Sequence, residues 1–277
     1  MRCADIAMYH AKTEMQGVSI YRPEIDMHSE KRLALMSDLG RAIREDQLLL
    51  HFQPKIDVET GKTYGLEALL RWHHPELGFI PPDEFIPIAE NTNLIHPMTL
   101  WVLEKSIGVC KRWRERGYEL SVAVNLSVRN LLDEKLVSQV ETLLRRFDFS
   151  PCMLELEITE SSIMANPARA MRSLEALHGL GVAMAIDDFG TGYSSLAYLK
   201  RLPVSSLKID SAFVTNLLLD KQDEIIVNST INLAHNLGLC VVAEGVENEQ
   251  VLARLKFLGC DKAQGYYIAR PMSEELL

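Results

Sequence analysis

Acidic and amide side chains recur in this chain where apolar runs come to an end. Glu67 sits in GLEALL, Asn125 in VAVNLS and Glu244 in VVAEGV, each flanked by apolar residues. Burying a carboxylate or amide in such company is costly unless it finds a partner, so each must face a cavity mouth or a polar interior. In LELEITE, period-two alternation puts Leu154, Leu156 and Ile158 on one face and Glu155, Glu157 and Thr159 on the other. Asp187 and Asp188 are adjacent. Carboxylates gathered a few Å apart raise one another's pKa steeply, and a group of this kind needs a cation. Oxygen donors with no Cys or His among them suit Mg2+ or Mn2+ rather than zinc or copper. The Asp187-Asp188 pair points to two ions, one of its carboxylates bridging them, an arrangement that clamps an in-line displacement at phosphorus. Lys208 adds a donor for an attacking water or a phosphate oxygen, and Arg71 a bidentate phosphate grip. Phosphodiester hydrolysis is the chemistry that these residue types support.

Other polar residues have simpler readings. Asp210 before Ser211 and Glu247 before Asn248 are explained as well by helix N-caps as by a site. His73, His74 and His96 read as solvated or hydrogen-bonded, and KRWRERG (111–117) as a basic helix end that suits the macrodipole.

The elements that must position these groups alternate along the chain. Strands are predicted at 48–56, 63–72, 120–127, 153–160, 182–190, 205–210, 239–246 and 262–267. Amphipathic helices are predicted between them, at 97–117, 166–181, 224–238 and 249–259. Eight strands alternating with helices predict an α/β fold, a TIM-like (β/α)8 barrel, whose site lies at the C-terminal ends of the strands. An open doubly wound sheet is disfavoured because no strand leads into a G-x-G-x-x-G turn. Residues 1–30 stand outside this rhythm, with one short helix, a turn and YRPEIDMHSE, and 31–46 form an amphipathic helix leading into the first strand.

The 277 residues carry 29 Lys+Arg and 38 Asp+Glu, a formal charge of −9, with 47% hydrophobic residues. That composition supports a full core and argues against DNA or RNA as partner, since backbone binders cluster Lys and Arg. Cys3, Cys110, Cys152, Cys240 and Cys260 are odd in number and form no C-x-x-C pair, which fits a reducing cytoplasm. No apolar run approaches a membrane span, so this segment is expected to make no membrane contact, which leaves room for an anchor elsewhere in a longer parent.

The motifs resemble, in order, those of the bacterial EAL-domain phosphodiesterases: FQP at 52–54, EALLR at 67–71, VNLS at 124–127, EITE at 157–160, DDFGTGYSSL at 187–196, LKID at 207–210, AEGVE at 243–247 and QGYYIARP at 264–271. The resemblance covers about residues 35–277 and implies hydrolysis of cyclic di-GMP to linear pGpG. It implies that Glu67, Asn125, Glu157 and Asp187 hold a first Mg2+ or Mn2+, with Asp187 bridging and Asp188 on a second ion. Glu244 would be the general base or a ligand of the second ion, and Lys208 would hold the nucleophilic water. Glu160 would anchor the loop beginning at DDFGTGYSSL, where Gly190 and Gly192 read as hinges. Dinucleotide contacts would fall on Gln53, Glu67, Leu70, Arg71 and Asn125, and on Asp210, Gln264, Gly265 and Tyr266. Departures are peripheral: Ser205 stands where Asp is frequent and Ser211 where Arg is frequent. The alternatives are a cyclic di-GMP receptor without turnover and an enolase-like barrel using Lys208 as base. Members of the family commonly dimerise through the helical region after the DDFG loop, so a homodimer is expected. ADIAMYHAK (4–12) resembles the closing helix of a GGDEF diguanylate cyclase domain. Residues 1–30 are therefore expected to be the remnant of such a domain plus a linker and 31–277 the EAL barrel, with GGDEF and sensor domains upstream.

Overall fold

The computed structural model describes residues 4, 7, 8, 18–20, 23–164, 166–190 and 196–277. The chain divides into two compact units, Met1–Leu49 with Arg71–Ile95, and Leu50–Leu70 with His96–Leu277.

The second unit contains a closed barrel. Its strands are β1 (Leu48–Asp57), β2 (Thr63–His74), β4 (Ser121–Leu126), β5 (Leu154–Thr159), β6 (Ala183–Phe189), β7 (Ser206–Ile209), β8 (Cys240–Ala243) and β9 (Lys262–Gln264). They run around the barrel in the order β1-β9-β8-β7-β6-β5-β4-β2, and β2 closes it on β1. All eight predicted strands are present. The strict strand–helix alternation needs one correction: β1 is antiparallel to β9, with Lys55 opposite Gln264. The Asp57 N–H donates to the Lys62 carbonyl at 2.9 Å and the Gly61 N–H to the Asp57 carbonyl at 2.8 Å, closing a tight turn into β2. So short a link cannot hold a crossover helix, which takes a dozen or more residues, and a hairpin therefore replaces the first β/α unit.

Around the parallel part, register does the positioning. Glu67 pairs with Ala123, Asn125 with Glu157 and Thr159 with Asp187. In-register residues of parallel neighbours project to the same face, so these polar side chains gather on one side of the wall. The outer face is apolar: Leu207, Ile209 and Val241 pack against Val227, Ile231 and Leu255. Those last three belong to α2 (Lys221–Asn236) and α3 (Glu249–Phe257), whose first turns are capped by Asp220 and Asn248. His96 meets Asp133 at 3.1 Å, and Arg112 of the basic tract pairs with Glu274 at 2.5 Å, so both have structural partners.

In the first unit, helix α1 (Pro23–Arg44) starts earlier than the predicted residue 31, taking in most of YRPEIDMHSE. A short strand, β3 (Gly78–Ile80), extends the end of β2 antiparallel to it. His74 accepts from the N–H groups of Glu76 and Leu77 through Nδ1, which leaves Nε2 to donate to Asp38 at 3.2 Å. Of the GGDEF-like stretch, Ala4, Ala7 and Met8 are helical and the rest lies outside the described residues, as do Gly192 and the remainder of 191–195 in the DDFG motif. Among the described residues no helix is long and apolar enough to cross a membrane.

Candidate active site

Strands β2, β4, β5, β6, β7 and β9, with the residue after β8, deliver Glu67, Asn125, Glu157, Asp187, Lys208, Gln264 and Glu244 to one region of the barrel unit. Glu67 is fixed by neutral amides. Asn125 Nδ2 donates to its Oε1 at 2.8 Å and Gln264 Nε2 to its Oε2 at 2.6 Å. Gln264 also donates to Gln53 Oε1 at 3.0 Å, and Gln53 Nε2 donates to the Ala269 carbonyl at 3.0 Å. Amides orient a carboxylate without neutralising it; burial, then the neighbouring Glu157 charge, pushes the Glu67 carboxyl up.

Lys208 is the hub. Its Nζ lies 2.7 Å from Glu157 Oε2, 3.1 Å from Asp187 Oδ1 and 2.7 Å from Glu244 Oε1. Burial opposes its charge, but Glu157, Glu67, Glu244 and Asp187 together hold it protonated, well above the ordinary lysine range. The anions fare differently. Burial would raise Glu157, yet Lys208 and Lys55 outweigh it and hold that carboxyl at about 2. Glu244 is pushed up to about 8 by burial, against Lys208 and with the help of Asp187, Glu67 and Glu157. One ammonium does not neutralise this many carboxylates.

Asp187 and Asp188 occupy an irregularity where β6 shifts register against β7 between Ile186 and Phe189. Asp188 takes a left-handed backbone, φ 53°, a region Asp tolerates better than most residues. Its N–H donates to Asp187 Oδ1 at 3.0 Å, so both carboxylates can be presented together rather than on alternate faces. Carboxylate oxygens of Asp187, Asp188 and Glu244 lie within 4.8 Å of one another. Burial, then Asp187, then Asp210 push Asp188 up to about 6. Hard oxygen donors crowded beyond what the local lysine compensates fit divalent metal.

These groups open onto a pocket of about 380 Å3 lined by Gln53, Glu67, Asp187, Lys208, Glu244 and Gln264, with Gly265 and Tyr266 at its edge. Gly265 is required there: a Cβ would meet the Val246 N and O at 2.2 Å each. Gly190 has φ +103°, a backbone state that L side chains rarely adopt.

Other predicted residues are placed differently. Asp210 accepts from the Ala212 N–H at 2.6 Å and caps a short helix, as its simpler reading held, while lying close enough to raise Asp188. Glu160 begins the helix after β5 and lines a small hollow with Ile163, Ile186 and Phe189. Leu70 is buried on β2, whereas Arg71 falls in the first unit.

Lys55 escaped the sequence reading. Lys55 Nζ bonds Glu155 Oε1 at 2.6 Å and Glu157 Oε1 at 3.2 Å, all three side chains being buried. The cation demanded by the LELEITE acids is thus supplied first by lysine. Period-two alternation from Gln53 would have put Lys55 on the same inward face.

The residues matched by the family model described as EAL domain are 36–271. The bifunctional diguanylate cyclase/cyclic di-GMP phosphodiesterase MucR of Pseudomonas aeruginosa is 43% identical over 276 residues, covering 99% of this chain and 40% of its own length. The cyclic di-GMP phosphodiesterase PdeR of Escherichia coli K12 is 38% identical over 273 residues, covering 98% of this chain and 41% of its own. This chain therefore spans less than half the length of these curated relatives. A solved structure of the PaMucR phosphodiesterase in complex with c-di-GMP superposes with a TM-score of 0.84 at 44% identity, covering 88% of this chain and all of its own. With the barrel, its ring of strand-end acids and a match across most of its length, the chain belongs to the EAL domain family.

Proposed function

We propose that the chain is a metal-dependent cyclic di-GMP phosphodiesterase that opens one phosphodiester to give linear pGpG. The observation that carries the reading is the charge imbalance at the barrel mouth, where the carboxylates of Glu67, Asp187, Asp188 and Glu244 are crowded beyond what Lys208 neutralises. Two divalent ions, Mg2+ or Mn2+, the first held by Glu67, Asn125, Glu157 and Asp187 and the second by Asp187 and Asp188, with Glu244 either a further ligand of the second or the general base, would supply phosphate neutralisation and water activation. Lys208, whose Nζ lies 2.7 Å from Glu244 Oε1, would orient a water or a phosphate oxygen, and Glu244, whose carboxyl burial pushes up, would act as general base once cations beside it favour its ionised form. The water oxygen would bond to phosphorus as the bond to the 3′ oxygen breaks; one water proton would pass to Glu244 and from there to solvent, while the departing 3′ oxygen would take a proton from solvent and leave as a hydroxyl. Gln53, Gln264, Gly265 and Tyr266 line the same pocket and would contact the dinucleotide; the family resemblance adds Leu70, Arg71 and Asp210 to that set. The likeness to MucR and PdeR, both named as phosphodiesterases of this substrate, supports the assignment.

Chromatography of reactions containing cyclic di-GMP and Mg2+, with Glu67→Ala as control, tests it. Metal-dependent pGpG from the wild type and at least a hundredfold less from the variant is expected. Folded protein that yields no pGpG sinks the proposal, and tight binding without product in both Mg2+ and Mn2+ would make the chain a receptor.

Residues 1–30 are further proposed to be the remnant of a GGDEF-like domain plus linker, and 31–277 the phosphodiesterase domain. ADIAMYHAK and the match to bifunctional MucR along 99% of this chain support that division. The proposed working form is a cytoplasmic homodimer, with GGDEF and sensor domains upstream. Light scattering across a concentration series tests the dimer.

A further inference from the structure

Lys55 and Lys208 are the two lysines buried among the described residues. They stand on either side of Glu157: Lys55 on Oε1 at 3.2 Å, Lys208 on Oε2 at 2.7 Å. Lys55 is held from beneath by Glu155 Oε1 at 2.6 Å, and the second oxygen of Glu155 lies 3.5 Å from Ser206 Oγ. From the inner barrel to its mouth the charges therefore alternate as Glu155, Lys55, Glu157, Lys208 and then Asp187 with Glu244. Lys208 faces the pocket and Lys55 does not line it. Burying an ion pair beneath a site gains little stability over apolar packing of the same volume, so this pair is better understood through what it does to Glu157.

We propose that Lys55 is a positioning residue: anchored by Glu155, it fixes one oxygen of Glu157, so that Glu157 keeps its orientation toward the metal-binding acids when Lys208 turns to water or phosphate. Without Lys55, Glu157 would depend on Lys208 alone, and the two duties of Lys208 would compete. This role rests on the phosphodiesterase reading above, but its decisive measurement does not. Outer partners that orient a ligand change metal affinity or activity by roughly 10- to 100-fold when removed.

The test is calorimetric titration of Mn2+ into metal-free protein, for the wild type and for the paired variant Lys55→Met with Glu155→Gln. The pair is replaced together so that no buried charge is orphaned, and circular dichroism checks the fold. The expected result is Mn2+ affinity at least tenfold weaker in the folded variant, with KM for cyclic di-GMP changed less than threefold and kcat lowered at saturating metal. A folded variant whose Mn2+ affinity stays within twofold of wild type overturns the proposal. Should the paired variant fail to fold, Glu155→Gln alone, which loosens the anchor of Lys55, is titrated against the same criteria. Wild-type protein that binds Mn2+ but makes no pGpG would refute the phosphodiesterase reading and leave the affinity comparison to decide the role of Lys55.

Discussion

Two layers of one barrel interior treat charge in opposite ways. In the inner layer, Lys55 meets Glu155 and Glu157 at hydrogen-bond distance, and Glu157 is held far below the ordinary carboxylate range. At the mouth, Glu67, Asp187, Asp188 and Glu244 are all pushed up, because burial and mutual repulsion exceed what Lys208 supplies. The inner layer is compensated from within the chain; the mouth is left in deficit of positive charge. Preorganised repulsion of this kind costs stability in the metal-free protein and returns it as affinity for cations, which is where a stability–function trade-off is expected.

The largest effect should come from removing the hinge between the layers. Lys208→Met leaves Glu157, Asp187 and Glu244 without their shared ammonium. Breaking a buried ion network by deleting one partner costs about 3–5 kcal/mol, so urea denaturation should show a loss of that size in the metal-free protein. Added Mg2+ should restore part of the stability without restoring pGpG formation. An equal loss with and without Mg2+ would mean that the mouth is not a cation site.

pH separates the layers by sign. Glu157 is lowered to about 2 from 4.5, so the stability it contributes is complete above pH 4.5 and is lost as pH falls toward 2. Glu244 is raised to about 8 from 4.5, so its contribution is complete below pH 4.5 and is lost as pH rises through 8. Metal-free protein should therefore lose about 1–2 kcal/mol between pH 6 and 8, while protein in saturating Mg2+ loses less because metal affinity grows as the acids deprotonate. Parallel curves with and without Mg2+ would break the comparison.

The mouth was legible in the sequence for a physical reason. Glu67, Asn125 and Glu244 interrupt apolar runs, and alternation in LELEITE exposes its acids as a face. The strand count was legible because each strand is bounded by turn residues or amphipathic helix. The inner layer was harder: Lys55 lies in FQPKI, where a lysine reads as solvated until the barrel is closed and the face of Gln53 is known to turn inward. The reversed direction of β1 was hidden because period-two patterning carries no strand polarity; the short DVETGKTY connection held the clue. Nor does any residue pattern announce the irregularity that lets Asp187 and Asp188 point together, since it arises from register between β6 and β7.

Asp188 allows a gentler test of the deficit. Its φ of 53° is accessible to Asn, so Asp188→Asn should keep the backbone while deleting one repelled charge. Because this carboxyl is raised to about 6 and is only partly buried, metal-free stability at pH 7 should rise by up to about 1 kcal/mol, with Mn2+ affinity reduced. A fall in stability would show that Asp188 is compensated, contrary to its place in the outer layer.

The smallest effect calibrates the rest. Glu141 and Arg145 form an i,i+4 pair at 2.6 Å on an outer helix, with side chains 39% and 78% exposed. Opposite charges at comparable distance are present here as at Lys208, but water screens them and holding two long side chains costs entropy. Arg145→Ala should therefore change stability by less than about 0.5 kcal/mol and leave Mn2+ affinity untouched. Separation cannot account for a contrast between 2.6 Å here and 2.7 Å at Lys208. If Arg145→Ala cost as much as Lys208→Met, net charge would be governing stability; a gap of several-fold between the two assigns the effect to burial, which is the condition that separates the Lys208 network from a solvated pair.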